Sequence, residues 1–229
     1  MRVGSGVAKR PAAEKIADNF SYLIFYLSFR TTIALFGASG QTGRQFLSKA
    51  LAQGYRVRAL VRMPAKLAAV RSPQLDIIAG DVLDADAVRR TVQGTDVVVS
   101  LFGQVKGSPP DVQTRGTQHI VAAMQQLGAQ KIISLSGGGL PYAEDLPKLT
   151  DKLIRGIMKL LLPQVLTDAV GHAEVLRQSG LRWVIVRGPR LTNDPGQGHS
   201  RVGWVGVNSS TKLNRADLAD FLLTQIEDE

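Results

Sequence analysis

Thr31–Gly54 reads TTIALFGASGQTGRQFLSKALAQG, and its three parts decide the architecture. Thr31–Phe36 is a short apolar run, the pattern of a buried strand. Gly37-Ala38-Ser39-Gly40-Gln41-Thr42-Gly43 follows without a spacer. Gln41–Gln53 then places Phe46, Leu47, Ala50 and Leu51 at helical spacing, and Gly54 closes the segment. Strand, glycine turn and helix in that order open a βαβ unit. The glycines are spaced G-x-x-G-x-x-G rather than G-x-G-x-x-G, with the same physical uses. Gly37 permits the tight turn, Gly40 lets backbone approach a pyrophosphate, and Gly43 lets the helix pack on the strand. Ser39, Gln41 and Thr42 complete a loop whose free N–H groups, with the helix dipole, attract an anion. The stretch predicts a dinucleotide site; a glycine-rich turn with no ligand is the alternative.

Outward from that unit the pattern repeats. Strands are predicted at Arg56–Val61, Leu75–Ala79, Asp96–Phe102, Lys131–Ser136 and Arg182–Arg187. Helices are predicted at Pro64–Val70, Ala85–Val92, from Ser108 as N-cap to Leu127, at Pro147–Leu162, Leu166–Gln178 and Ala216–Ile226. Apolar strands alternating with helices give an α/β fold, a doubly wound parallel sheet of Rossmann type. Ligands then gather at the carboxyl ends of its strands.

The end of the second strand chooses the cofactor. Binders of NAD place Asp or Glu about 20 residues after the glycines to hold the ribose hydroxyls. Here the chain reads Leu60-Val61-Arg62-Met63-Pro64-Ala65-Lys66, with no acid. An acid repels a 2′-phosphate, whereas Arg62 and Lys66 grip one, so NADP(H) is expected. The bland alternative is two surface cations. Asp81 and Val82, after strand three, are expected against the adenine, with Asp84 as the better helix N-cap. Leu101, Phe102 and Gly103, after strand four, are expected along the cofactor ribose.

Taken together, IALFGASGQTG (33–43), LVR (60–62), GDVLDADAV (80–88), IVAAMQQLGAQKII (120–133), EVLRQSGLRWVIVRGPRLT (174–192) and RADLADFLL (215–223) carry a resemblance. The chain from about residue 31 to 229 resembles the atypical short-chain dehydrogenase/reductases, of the NAD(P)H-binding, nitrogen-metabolite-regulator-like kind. The biliverdin-IXβ/flavin reductase branch is nearest. The resemblance implies a Rossmann domain over residues 31–229 with a small carboxyl-terminal substrate lobe, and NADPH as cofactor. That branch carries a serine just after strand five; here the position is Gly137, with Ser136 one residue earlier. Ser136 is the candidate for a hydrogen bond near the nicotinamide, and so the candidate catalytic group. The alternative is a strand-end serine bonding backbone.

Ordinary members of the superfamily use Tyr-x-x-x-Lys, in which Lys lowers the tyrosine pKa. Tyr142 is followed by Ala143-Glu144-Asp145-Leu146, so no lysine lies four residues on. A flavin, tetrapyrrole or quinone-like acceptor is reduced to a stabilised anion and tolerates a weak proton donor. Such a small-molecule acceptor is the expected partner. Gln104, Gly137, Gly138, Tyr142 and Arg190 are expected on the substrate side, with Pro189 on the cofactor side of the same turn. Tyr142 either stacks on the acceptor or packs under its loop. His172 is read as a surface-helix histidine rather than an acid, His119 as structural, and His199 as a solvated loop residue. The segment Lys148–Leu162 sets Lys148, Lys152, Arg155 and Lys159 opposite Leu149, Leu153, Ile157 and Leu160. It is read as a lid over the substrate pocket, with an anionic membrane or a dimer contact as the alternative.

Composition narrows the classes further. Hydrophobic residues are 44% and charged residues 21%, which suits a globular chain rather than a disordered one. There is no cysteine, which removes thiolate catalysis and Cys-type metal sites and fits a reducing, cytoplasmic setting. The net charge is +9, but the cations are scattered without an aromatic-interleaved patch. Of the partners a basic balance allows, an anionic membrane or a phosphorylated small molecule stays open, nucleic acid is not expected, and a solvated basic surface is the plain reading. The histidines are far apart, so no metal is expected. Residues 1–30 stand apart: Met1–Asp18 is polar and basic, and Asn19–Phe29 is an apolar run too short to span a bilayer. They read as an accessory helix or an extension outside the fold; a transit peptide is the alternative. The function expected is an NADPH-dependent reductase. A non-catalytic NAD(P)H sensor and a membrane-associated assembly factor are the rivals.

Overall fold

The structure is a computed structural model, and it describes residues 31–208 and 210–228. The extension expected over residues 1–30 lies outside the described residues. Six strands form one parallel sheet: β1 (Thr32–Phe36), β2 (Arg56–Val61), β3 (Leu75–Ala79), β4 (Val97–Ser100), β5 (Lys131–Gly137) and β6 (Arg182–Gly188). Their order is β3-β2-β1-β4-β5-β6. The order reverses between β1 and β4, which opens a crevice at their carboxyl ends.

Alternation along the strands fills two cores. Ile33 and Leu35 of β1, Val57, Ala59 and Val61 of β2, Val97 and Val99 of β4 and Ile133 of β5 face one side. They pack against α1 (Gln41–Ala52) and α6 (Arg215–Glu227). Ala34, Phe36, Leu60, Val98 and Ile132 face the other. There they meet α2 (Ala85–Val92), α3 (Val112–Leu127) and α5 (Pro163–Arg177). Helices on both faces make the sheet doubly wound.

Most boundaries agree with the sequence reading, and the differences have local causes. Asp84 caps α2 as expected, its carboxylate accepting from the amides of Asp86 and Ala87. Helix α3 starts at Val112, not after Ser108. Ser108 instead closes its own loop, its hydroxyl accepting from the Val105 amide and donating to the Val105 carbonyl. The cap of α3 comes from far along the chain. Asp168, on α5, accepts from the amides of Gln113 (2.9 Å) and Thr114 (2.8 Å) and from the Thr114 hydroxyl (2.7 Å). The expected helix Pro64–Val70 shortens to a 3-10 turn over Pro64–Leu67. Pro163 divides the carboxyl-terminal helices as anticipated and sits in the first turn of α5.

Two strands were not foreseen. β7 (Arg190–Thr192) and β8 (Lys212–Asn214) form a separate parallel pair. The loop after β5, which leads into α4 (Leu149–Leu161), meets the segment between β7 and β8 through Asp145, Leu146 and Val205, and together these make the small carboxyl-terminal lobe.

Candidate functional site

The glycine loop is built by close contact. Gly37 has φ +86°, and a Cβ there would stand 2.6 Å from the Leu101 carbonyl carbon and 2.7 Å from the Phe102 amide nitrogen. The loop after β1 thus presses directly on the backbone after β4. At Gly43 a Cβ would stand 2.1 Å from the Gly37 carbonyl oxygen. Gly43 therefore lets the helix pack on the loop itself, not on the strand as the sequence suggested. Gly40 is the N-cap of α1, and no side chain caps that helix or puts an acid in its first turn. The amides around Gln41, Thr42 and Gly43 stand at the crevice with the positive end of the dipole. Ser39 is half-buried in the same turn.

The residues expected to choose the cofactor follow β2. Arg62 and Asp81 face each other at 3.9 Å, and both side chains are largely exposed. At that spacing and exposure the pair is weak and leaves Arg62 available to a ligand. Asp81 also accepts from the Leu83 amide at 2.9 Å, which fixes the turn after β3. Lys66 is exposed. Sequence reasoning missed Arg44. Its guanidinium donates to the Ser39 carbonyl (3.1 Å) and the Lys66 carbonyl (3.0 Å). It ties the glycine loop to the segment carrying the cations. No spacing rule singles out one arginine in an amphipathic helix, so the signal was absent.

Val82 and Phe102 pack over Gly116 of α3, where a Cβ would stand 2.7 Å from each side chain. This glycine sets the floor of the crevice. His119, half-buried one turn on, contacts the Val82 carbonyl through Nδ1 at 3.1 Å, a structural role as expected. Gly103 is exposed, with open space where a Cβ would go. Gln104 is turned inward. Its side-chain amide donates to the Asp168 carboxylate (3.2 Å) and to the Pro110 carbonyl.

Ser136 is buried at the carboxyl end of β5, and its hydroxyl has no hydrogen-bond partner. It shares a sheet face with Ser134, whose hydroxyl meets His172 Nε2 at 2.8 Å. His172 is fully buried, which corrects its reading as a surface histidine. Burial holds its pKa below the usual imidazole value, so it is neutral at physiological pH. Beyond Ser136 the chain opens: Gly137 and Gly138 are exposed, and the Gly138 amide donates to the Gly188 carbonyl at 2.8 Å.

The lobe is organised on one ion pair. Arg187, the register partner of Ser136 on β6, makes a two-pronged bond to Asp145 (2.7 and 2.8 Å) and donates to the Leu140 carbonyl. Asp145 also accepts from the amides of Tyr142 and Val205. The bond from Arg187 holds the Asp145 carboxyl below its ordinary pKa. Tyr142 stacks on Trp204 with centroids 5.1 Å apart and rings 10° from parallel. The Arg187 guanidinium lies 5.5 Å from the tyrosine ring and 5.8 Å from the indole. Tyr142 thus packs on a second loop rather than under its own, and Trp204 is a second residue that sequence reading missed. Pro189 is half-buried and Arg190 exposed in the turn beyond. His199 is exposed in its loop. Among the described residues no three His, Asp or Glu side chains gather as metal ligands.

Residues 37–229 match a family described as NAD(P)H-binding. An uncharacterized protein of Mycobacterium tuberculosis is 33% identical over 115 residues. That match covers 50% of this chain and 13% of the relative, so this chain corresponds to a small part of it. Among solved structures, a short-chain dehydrogenase/reductase of Veillonella parvula in complex with NADP superposes with TM-score 0.67 at 16% identity, over 87% of this chain and 88% of that one. ChuY of Escherichia coli O157:H7, an anaerobilin reductase, gives 0.69 at 19%, over 86% and 91%. At such identities the likeness is one of fold.

Proposed function

Because the chain belongs to the NAD(P)H-binding family, we propose that it is an NADPH-dependent reductase acting on a flat, conjugated acceptor. The acceptor class is a flavin, a tetrapyrrole or a quinone-like ring. The observation that carries this reading is the Tyr142–Trp204 stack held over Arg187, whose register partner Ser136 carries an unpartnered buried hydroxyl. The NADP in the Veillonella protein and the anaerobilin chemistry of ChuY support it.

The residues present suit the cofactor. The uncapped, acid-free start of α1 suits a pyrophosphate, and Gly37 and Gly43 let backbone close on backbone so that the loop before it keeps its shape. Arg62, with Lys66 beside it, suits a 2′-phosphate. Asp81, Val82, Leu101, Phe102 and Gly103 line the crevice toward adenine and ribose. When bound, the reduced nicotinamide supplies the hydride. The part of the chain itself would be to bring nicotinamide and acceptor together, and that proximity lowers the barrier. Ser136 Oγ offers the hydrogen bond that a buried hydroxyl otherwise lacks, to the carboxamide or to the acceptor. Gly137, Gly138 and Arg190 border the acceptor side. Arg187, its charge balanced by Asp145, supports the aromatic pair from beneath through cation–π contact. No lysine-paired tyrosine is needed, because the delocalised product can take its proton from water. The cysteine-free composition suits a reducing compartment, and we place the reaction in the cytoplasm.

The test is NADPH oxidation by the purified protein with FMN, riboflavin, biliverdin and simple quinones, alongside NADPH binding on the same sample. Turnover above the protein-free rate identifies the acceptor class. Tight binding with no turnover on any acceptor replaces the reductase with a sensor of NADP(H).

A further inference from the structure

The segment read as a lid has its apolar side open to solvent. Leu149, Leu153, Ile157, Leu160 and Leu161 are between 48% and 84% exposed. At about 100° per residue these five span an arc of roughly 120°. Lys148, Lys152, Arg155 and Lys159 fall within an arc of about 60°, beginning some 60° from the apolar edge. The patch continues off the helix. The Leu146 amide donates to the Val205 carbonyl at 2.9 Å, which brings Leu146 beside the loop bearing Val202 and Trp204. Those three side chains are exposed as well. A soluble surface rarely leaves so many large apolar groups together unless they meet something.

We propose that α4 and the Val202–Trp204 loop form a docking surface for an anionic phospholipid membrane, an interaction beyond the reductase reading. Charge chooses the occupant. A second copy carries the same surplus, four cations to the one acid Asp151, and so repels its twin. An anionic headgroup layer meets the same cations favourably, at about fivefold in affinity per residue (from ~1 kcal/mol each). The leucines enter the headgroup–acyl boundary, and the Trp204 indole suits that depth. The helix lies in the surface rather than crossing it: its 13 residues reach about 20 Å against an apolar layer of about 30 Å.

The experiment is sedimentation of the full chain with phosphatidylcholine vesicles, with and without phosphatidylglycerol. Binding is expected only where phosphatidylglycerol is present, and is expected to fall with added salt. Lys152→Gln/Lys159→Gln should weaken it about 25-fold. Leu153→Glu/Leu160→Glu should abolish it while NADPH binding, which reports an intact fold, is unchanged. Equal binding to neutral vesicles overturns the proposal, as does binding that survives both double variants. So does a concentration-dependent dimer, dispersed by the leucine variant, in a protein that binds no vesicles.

Discussion

The half of the molecule around β1–β4 and the lobe beyond β5 are held by different means. In the first, backbone meets backbone: Gly37 lies against Leu101 and Phe102, and Gly43 against Gly37, at distances no side chain tolerates. Their shape is fixed before any ligand arrives. In the second, two loops converge on the Arg187–Asp145 pair, and a stacked tyrosine and tryptophan rest above it. Gly137 at the junction has open space around it. The comparison teaches that the loop suited to a nucleotide is set by rigid backbone. The acceptor site proposed for the lobe rests on side chains carried by loops.

The largest effect should come from adding one methyl to each region. Gly43→Ala is expected to lower NADPH affinity more than 100-fold and to cost about 3 kcal/mol of stability, since backbone must move. Gly137→Ala should leave both unchanged. Binding titrations and thermal melts on the two variants check this, and equal effects would erase the distinction. Next, Asp145→Asn should loosen the lobe alone. It removes the charge facing a half-buried Arg187, a loss of about 3 kcal/mol read locally. Trp204 fluorescence should shift and turnover fall, with NADPH affinity kept. Acid should act likewise. The folded Asp145 pKa is depressed, so its contribution is full above the unfolded value near 4 and is lost as pH falls through the lower folded one. The fluorescence shift should therefore appear below pH about 4.

Smaller effects separate the ligands. Arg62→Ala should weaken NADPH about tenfold and NADH hardly at all, by loss of one charge-assisted contact. An equal loss for both cofactors would end the 2′-phosphate assignment. Ser136→Ala should do least to the fold, stabilising the free protein by at most about 1 kcal/mol, because it removes an unpaired buried hydroxyl. Turnover should nevertheless drop severalfold. Unchanged turnover would return Ser136 to a strand-end role.

Local signals carried the sheet and the nucleotide loop. Apolar runs, terminal glycines and the Asp84 cap each act within a few residues, so they can be read in a line of letters. The lobe depends on pairs far apart in the chain. Tyr142 meets Trp204, Arg187 meets Asp145, and Asp168 caps α3; no periodicity links such partners. His172 illustrates the same limit. On a helix of weak amphipathic pattern its burial depends on Ser134, 38 residues earlier. The leucine face of α4 misled for another reason. A 3.6-residue stripe reports that a helix has an apolar side, but not what that side meets.

The cap on α3 carries a consequence for the order of events during synthesis. Gln113 leaves the ribosome 55 residues before Asp168. At about 5–20 residues per second that is an interval of roughly 3–11 s. Throughout it, the amides of Gln113 and Thr114 have only water for partners. The carboxylate that quiets them arrives with α5, so the two helices lock as one cooperative unit. The nascent amino-terminal half must wait for the carboxyl-terminal half before either is finished.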